Sequence, residues 1–101
     1  MTPEGKVKEA CKRLLKQHGI WYYMPVQNGM GVVGIPDIIA CWQGQFLAIE
    51  TKAPGKASNV TANQQNTINE INRHGGWAIV VDDAAKLSAF LVTKILDKAI
   101  K

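Results

Sequence analysis

The sequence has no stretch approaching eighteen consecutive apolar residues and no basic head followed by a long apolar run, so it offers neither a membrane-spanning segment nor a secretion signal. The expectation is a protein that stays in the cytoplasm of a bacterial or virus-infected cell and is not secreted. Cysteine is scarce: Cys11 falls in a helical pattern and Cys41 in a strand pattern, without metal-type spacing, and both read as small core residues. The two histidines, His18 and His74, sit at the ends of helical patterns with no acid at a useful spacing, which leaves histidine-based hydrolysis without support. No Ser-His-Asp or Cys-His arrangement is evident. Repeats, low-complexity tracts and linkers are absent too, and 101 residues make one small domain, 1–101, with no room for a separate recognition module.

What is present is apolar enough, at 47%, to predict a folded globule. Twelve Lys and Arg against eight Asp and Glu give a net charge of +4, which suits a phosphate-bearing partner and equally suits solubility.

The organising stretch is Gly34 to Lys52. Ile35 to Trp42 and Phe46 to Thr51 are apolar, β-branched runs separated by Gln43-Gly44-Gln45, the composition of a β-hairpin with a tight turn. Alternation along the second strand puts Glu50 and Lys52 on one face and Leu47, Ile49 and Thr51 on the other. Antiparallel pairing places the start of the first strand opposite the end of the second, so Asp37 comes close to Glu50 across twelve intervening residues.

In chain order, Thr2-Pro3 reads as a helix N-cap with proline at the first position, followed by Val7, Ala10, Cys11, Leu14 and Leu15 at helical spacing to near Gly19. Lys6, Lys8, Glu9, Lys12, Arg13 and Lys16 are assigned to the opposite, solvated face, with a DNA-tracking role as the alternative. Glu4 falls on the inward stripe at the first turn; it is a site candidate, or an acid stabilising the helix dipole by a few tenths to about 1 kcal/mol. Ile20 to Met24 predicts the first strand, stopped by Pro25, with Tyr22 and Tyr23 packing on the sheet or stacking on bases. Gln27 to Gly34 holds three glycines outside any strand-to-helix context, so it reads as a flexible lip beside Asp37 and not as a phosphate loop. Ala53 to Val60 is loop. Thr61 to Gln64 is a capping box opening a second helix to about His74, before Gly75-Gly76. Gln64 shares its face with Ile68 and Ile71, so cap and site roles both stand. Trp77 to Val81 is an apolar strand, and Asp82 or Asp83 caps a last helical region of one or two helices. The order is α/β: helix, three strands, helix, strand, C-terminal helix.

The pattern Pro36-Asp37, twelve residues, Glu50-Thr51-Lys52 resembles the catalytic signature of the PD-(D/E)xK nucleases. With Gly34-Ile35-Pro36-Asp37, Lys52-Ala53-Pro54-Gly55 and Thr61-Ala62-Asn63-Gln64 it resembles the VRR-NUC branch, the virus-type replication-repair nuclease domain, from Glu4 to about Asp82. The resemblance implies a restriction-endonuclease-like αβββαβ core with a mixed central sheet flanked by helices. It implies a Mg²⁺- or Mn²⁺-dependent endodeoxyribonuclease in which Asp37, Glu50, the Thr51 carbonyl and Glu4 hold the metal through hard oxygen atoms. Lys52 would orient water and offset developing charge, and Gln64 would position water or phosphate. Lys52, Lys56 and Asn28 are the candidate nucleic-acid contacts. Stand-alone domains of this size look like junction-cleaving dimers, so the expected partners are branched DNA, four-way junctions above all, and a second copy. The large apolar set Trp21, Trp42, Trp77, Phe90, Leu91, Ile95, Leu96 and Ile100 agrees with a covered face. The alternatives are a nucleic-acid-binding module that does not cut, a nuclease for flaps or single strands, and a non-nuclease hydrolase using the same metal. A purely structural reading makes Glu50 and Lys52 an exposed edge-strand pair worth about 0.5 kcal/mol.

Overall fold

Gln43 and Gly44 both take positive φ, 52° and 83°, the pairing that a two-residue type I′ turn requires and that matches the twist of the strands it joins. The turn is thus shorter than the sequence suggests, and Gln45 already pairs with Trp42. The computed structural model describes residues 1–26 and 33–100, the side chain of Ile100 excepted. Among the described residues seven elements follow one another: α1 (Pro3–Gln17), β1 (Trp21–Tyr23), β2 (Ile38–Trp42), β3 (Gln45–Thr51), α2 (Ala62–Arg73), β4 (Trp77–Val81) and α3 (Ala84–Ile100). Among the described residues the last helical region is therefore one helix. The predicted strand over 20–24 is trimmed to three residues, and the one over 35–42 begins at Ile38.

The sheet order is β1-β2-β3-β4. β1, β2 and β3 form an antiparallel meander, and β4 joins β3 in parallel after the α2 crossover. The register pairs Ile38 with Ile49, so one further step sets Asp37 opposite Glu50, as expected. Two apolar layers flank the sheet. Val7, Cys11 and Leu15 of α1 and Leu87 and Leu91 of α3 pack with Ile38, Ala40, Leu47, Ile49 and Val81 on one face. Ile68 of α2 packs with Ile39, Ala48 and Ala78 on the other, joined by Val60, Ile71 and Val80. Alternation along β3 explains the division, since residues at successive positions serve opposite layers.

The second layer is narrower than the sheet. α2 lies against β4, and the part of that face nearest β1 stays open, with Trp21 63%, Tyr23 49% and Phe46 45% exposed. Cys41, expected in the core, is exposed for the same reason. Cys11 is buried, and burial, helped by the charge of Asp83, raises its thiol to about 11, which makes it an inert core residue.

The two ends of the sheet differ. At the hairpin end Trp42, Trp77 and Phe90 stack edge to face at 6.2 and 5.8 Å, roofed by the Lys94 ammonium 4.6 Å from the Trp77 ring. At the other end lie the acidic ends of β2 and β3 and the first turns of α1 and α2. Thr2 Oγ1 accepts from Gly5 N at 2.9 Å, and Thr61 Oγ1 accepts from Gln64 N at 3.1 Å, so each of these helices starts on a capped turn. Gly34 locks the approach to β2 against α2. Its φ is +79°, and an added Cβ would lie 2.5 Å from Asn63 C and O. Gly34→Ala is accordingly expected to lower stability by more than about 1 kcal/mol, read as a lower urea midpoint; an unchanged midpoint contradicts this packing.

Candidate active site

Asp37 is held by the strand opposite. Its Oδ2 accepts from Thr51 N at 3.1 Å and from Thr51 Oγ1 at 2.7 Å, so main chain and side chain of one residue fix one carboxylate oxygen. The N–H and C=O of one residue in an extended strand point to the same side, which turns the Thr51 carbonyl toward Asp37 as well. The sequence assigned Thr51 only that carbonyl. A threonine directly before the lysine of the motif was the available signal for the added hydroxyl bond.

Glu50 is 3% exposed, because β4 flanks it at Val80 and α2 covers it. Its Oε2 takes Gln64 Nε2 at 3.1 Å and faces Lys52 Nζ at 3.4 Å; Oε1 is buried with no hydrogen-bond partner among the described residues. Gln64 does three things at once: its Oε1 accepts from Lys52 Nζ at 3.0 Å and from Thr61 N at 3.0 Å, while its Nε2 reaches Glu50. The capping box and the site are one arrangement, so the two roles weighed for Gln64 coexist. Lys52 is itself anchored through its backbone, with N donating to Val81 O at 2.9 Å. The exposed edge-strand reading of Glu50 and Lys52 fails, since their side chains are 4% and 11% exposed.

Burial is the main cause that pushes the Glu50 carboxyl up from its ordinary 4.5 to about 7, with the charge of Asp37 next; Lys52 pulls the other way and Glu4 adds to the rise. Glu4, half-buried on the first turn of α1, is thus within electrostatic reach of Glu50. Asp37, Glu50, Lys52, Gln64 and Glu4 are therefore gathered at one end of the sheet. Lys56 is exposed on the loop after β3. Asn28 lies outside the described residues.

Two residues at the site were missed. Lys8, placed on the solvated face by the sequence reading, faces Asp37 instead, with Nζ 3.8 Å from Oδ1. At 100° per residue it lies next to Glu4 and Leu15 on the inward stripe, and that spacing was the signal. Asp82 does not cap α3. Asp83 does, its Oδ1 accepting from Ala85 N at 2.9 Å, whereas Asp82 Oδ2 accepts from Gly55 N at 3.0 Å and secures the turn that follows Lys52.

A solved structure described as a VRR_NUC domain superposes on this chain with a TM-score of 0.70 at 19% sequence identity, over 90% of this chain and 96% of that one. No protein-family model and no curated protein matches the sequence. The chain thus has a VRR-NUC-like fold, the α/β architecture expected from its motifs. At 19% identity the likeness carries the fold and leaves the chemistry to the residues. No helix among the described residues is long and apolar enough to cross a membrane.

The donor set fits a hard divalent ion. Among the described residues no group of three or more His, Cys, Asp and Glu is placed to hold a metal, so an all-side-chain cage is not what this end of the sheet offers. It offers the neighbouring carboxylates of Asp37 and Glu50, a carbonyl edge and a Glu50 Oε1 with no hydrogen-bond partner among the described residues, oxygen donors of the kind that leave room for water and a substrate phosphate.

The raised Glu50 carboxyl has a consequence for stability. Below pH 4.5 the group is protonated folded and unfolded alike. Between 4.5 and about 7 the unfolded chain releases a proton that the folded chain keeps, so stability falls as pH rises, by on the order of 3 kcal/mol in total. With metal removed by chelation, Glu50→Gln is expected to match the wild type at pH 4 and to exceed it in melting temperature at pH 8. Melting curves that stay coincident across that range contradict the assignment.

Proposed function

We propose that this protein is a metal-dependent, structure-selective endodeoxyribonuclease that hydrolyses phosphodiester bonds, with branched DNA such as four-way junctions as its leading substrate. The observation that carries this reading is the buried Glu50 carboxylate, opposite Asp37 and beside Lys52, with one oxygen that has no hydrogen-bond partner among the described residues. A structural ion pair has no use for that oxygen, and leaving it unpaired in the interior is costly.

Asp37, Glu50 and the Thr51 carbonyl would hold Mg²⁺ or Mn²⁺, with Glu4 completing the shell. The ion supplies Lewis-acid stabilisation of charge on the phosphoryl oxygens and acidifies water. Lys52 orients the attacking water and offsets the developing negative charge, and Gln64 keeps the Lys52 ammonium from collapsing fully onto Glu50 by sharing it. Lys56 and Asn28 would meet the nucleic-acid backbone. Recognition of backbone shape is favoured over base readout.

The reading includes a homodimer. Val92, Ile95 and Leu96 of α3 are 47%, 43% and 55% exposed, whereas Trp42 and Leu91 are core residues. A two-fold pair would place two equal sites on the two strands of a branch, and light scattering at micromolar concentration is expected to give twice the chain mass.

A panel of labelled single-stranded, duplex, flap and four-way-junction DNAs, with Mg²⁺ and with Mn²⁺, tests the activity. Junction cleavage that EDTA abolishes is expected, and Asp37→Ala and Lys52→Ala should each lower it by at least about 10²-fold while leaving the circular-dichroism spectrum unchanged. Calorimetry should find Mn²⁺ binding lost in Asp37→Ala and retained in Lys52→Ala. Full cleavage in excess EDTA overturns the reading.

A further inference from the structure

Each of the two acids at the end of the sheet has one oxygen hydrogen-bonded by the protein's own donors and one oxygen outside those bonds. For Glu50 the bound oxygen is Oε2 and the other is Oε1, without a hydrogen-bond partner among the described residues. For Asp37 the bound oxygen is Oδ2, held by Thr51, and the other is Oδ1, which the Lys8 ammonium faces at 3.8 Å. Lys8 is out of character for α1. Lys6 and Lys16 are exposed and Lys12 pairs with Glu9 on its own helix at 3.1 Å, but Lys8 crosses to another element with its side chain 30% exposed. Its ammonium lies beside the oxygen that a divalent ion would have to take.

We propose that Lys8 is a resident counter-ion for Asp37 that competes with the metal and then meets the incoming DNA phosphate. The inference rests on the metal-dependent nuclease reading. A divalent ion and an ammonium on one carboxylate oxygen repel each other across a partly buried site where screening is weak. Metal entry therefore displaces the ammonium from Oδ1, and the nearest new negative charge in a substrate complex is a backbone phosphate. Removing the charge of Lys8 then acts in opposite directions on the two ligands, which neither a simple DNA-contacting lysine nor a structural ion pair does.

The test is Mn²⁺ calorimetry without DNA on the wild type, Asp37→Ala, Lys8→Met, Lys8→Arg and Lys12→Met. Lys8→Met is expected to bind Mn²⁺ about threefold to tenfold more tightly, with Lys8→Arg and Lys12→Met close to the wild type. In Ca²⁺, Lys8→Met should bind junction DNA more weakly, with the salt slope reduced by about 1. Lys8→Met binding Mn²⁺ no better than the wild type overturns the inference. Should that variant fail to fold, the Lys8 Cε resonance of the wild type decides: it should shift on Mg²⁺ addition with the midpoint of the metal isotherm, and an unmoved resonance overturns the inference. Wild-type Mn²⁺ binding that Asp37→Ala leaves intact would instead sink the nuclease reading, and this inference with it.

Discussion

Glu50 is an acid at the end of a buried strand, and its burial constrains everything around it. A carboxylate taken out of water must be protonated, paired or given a cation. The chain supplies partial answers to each: the carboxyl is pushed up to about 7, and Lys52 and Gln64 share one of its oxygens. None of them satisfies Oε1. The surrounding features follow from holding this group in place. The I′ turn sets the register that puts Asp37 opposite, Thr51 orients Asp37 from the strand that carries Glu50, and the capping box of α2 delivers Gln64. Asp82 ties down the turn after Lys52.

Much of this was legible in the sequence because it depends on local rules. Glycine at the turn, alternation along β3 and antiparallel pairing are enough to place Asp37 near Glu50. The Thr-x-x-Gln signature is enough to start α2 with Gln64 on its inner side. Helix ends at His18-Gly19 and at His74-Gly75-Gly76 were marked by the glycines, of which Gly19 and Gly75 take positive φ.

What escaped depends on how far one element extends over another. Cys41 follows the same alternation as Ile39, yet only Ile39 lies under α2, and no periodicity states how wide a helix's shadow is. Lys8 was grouped with the other lysines of α1 by charge, although its angle on the helix groups it with Glu4; the geometry was available and the chemistry misled. The hydroxyl bond of Thr51 and the choice between Asp82 and Asp83 as cap turn on side-chain rotation at strand ends, which the residue types alone leave open.

On this reading the two acids at this end of the sheet form a metal centre and not a structural pair. Anomalous scattering from a crystal grown with Mn²⁺ tests it most directly. A peak at the Asp37 and Glu50 carboxylates is expected, with the Lys8 ammonium moved away from Asp37. Mn²⁺ bound elsewhere, with Lys8 and Lys52 still on the two carboxylates, would contradict it.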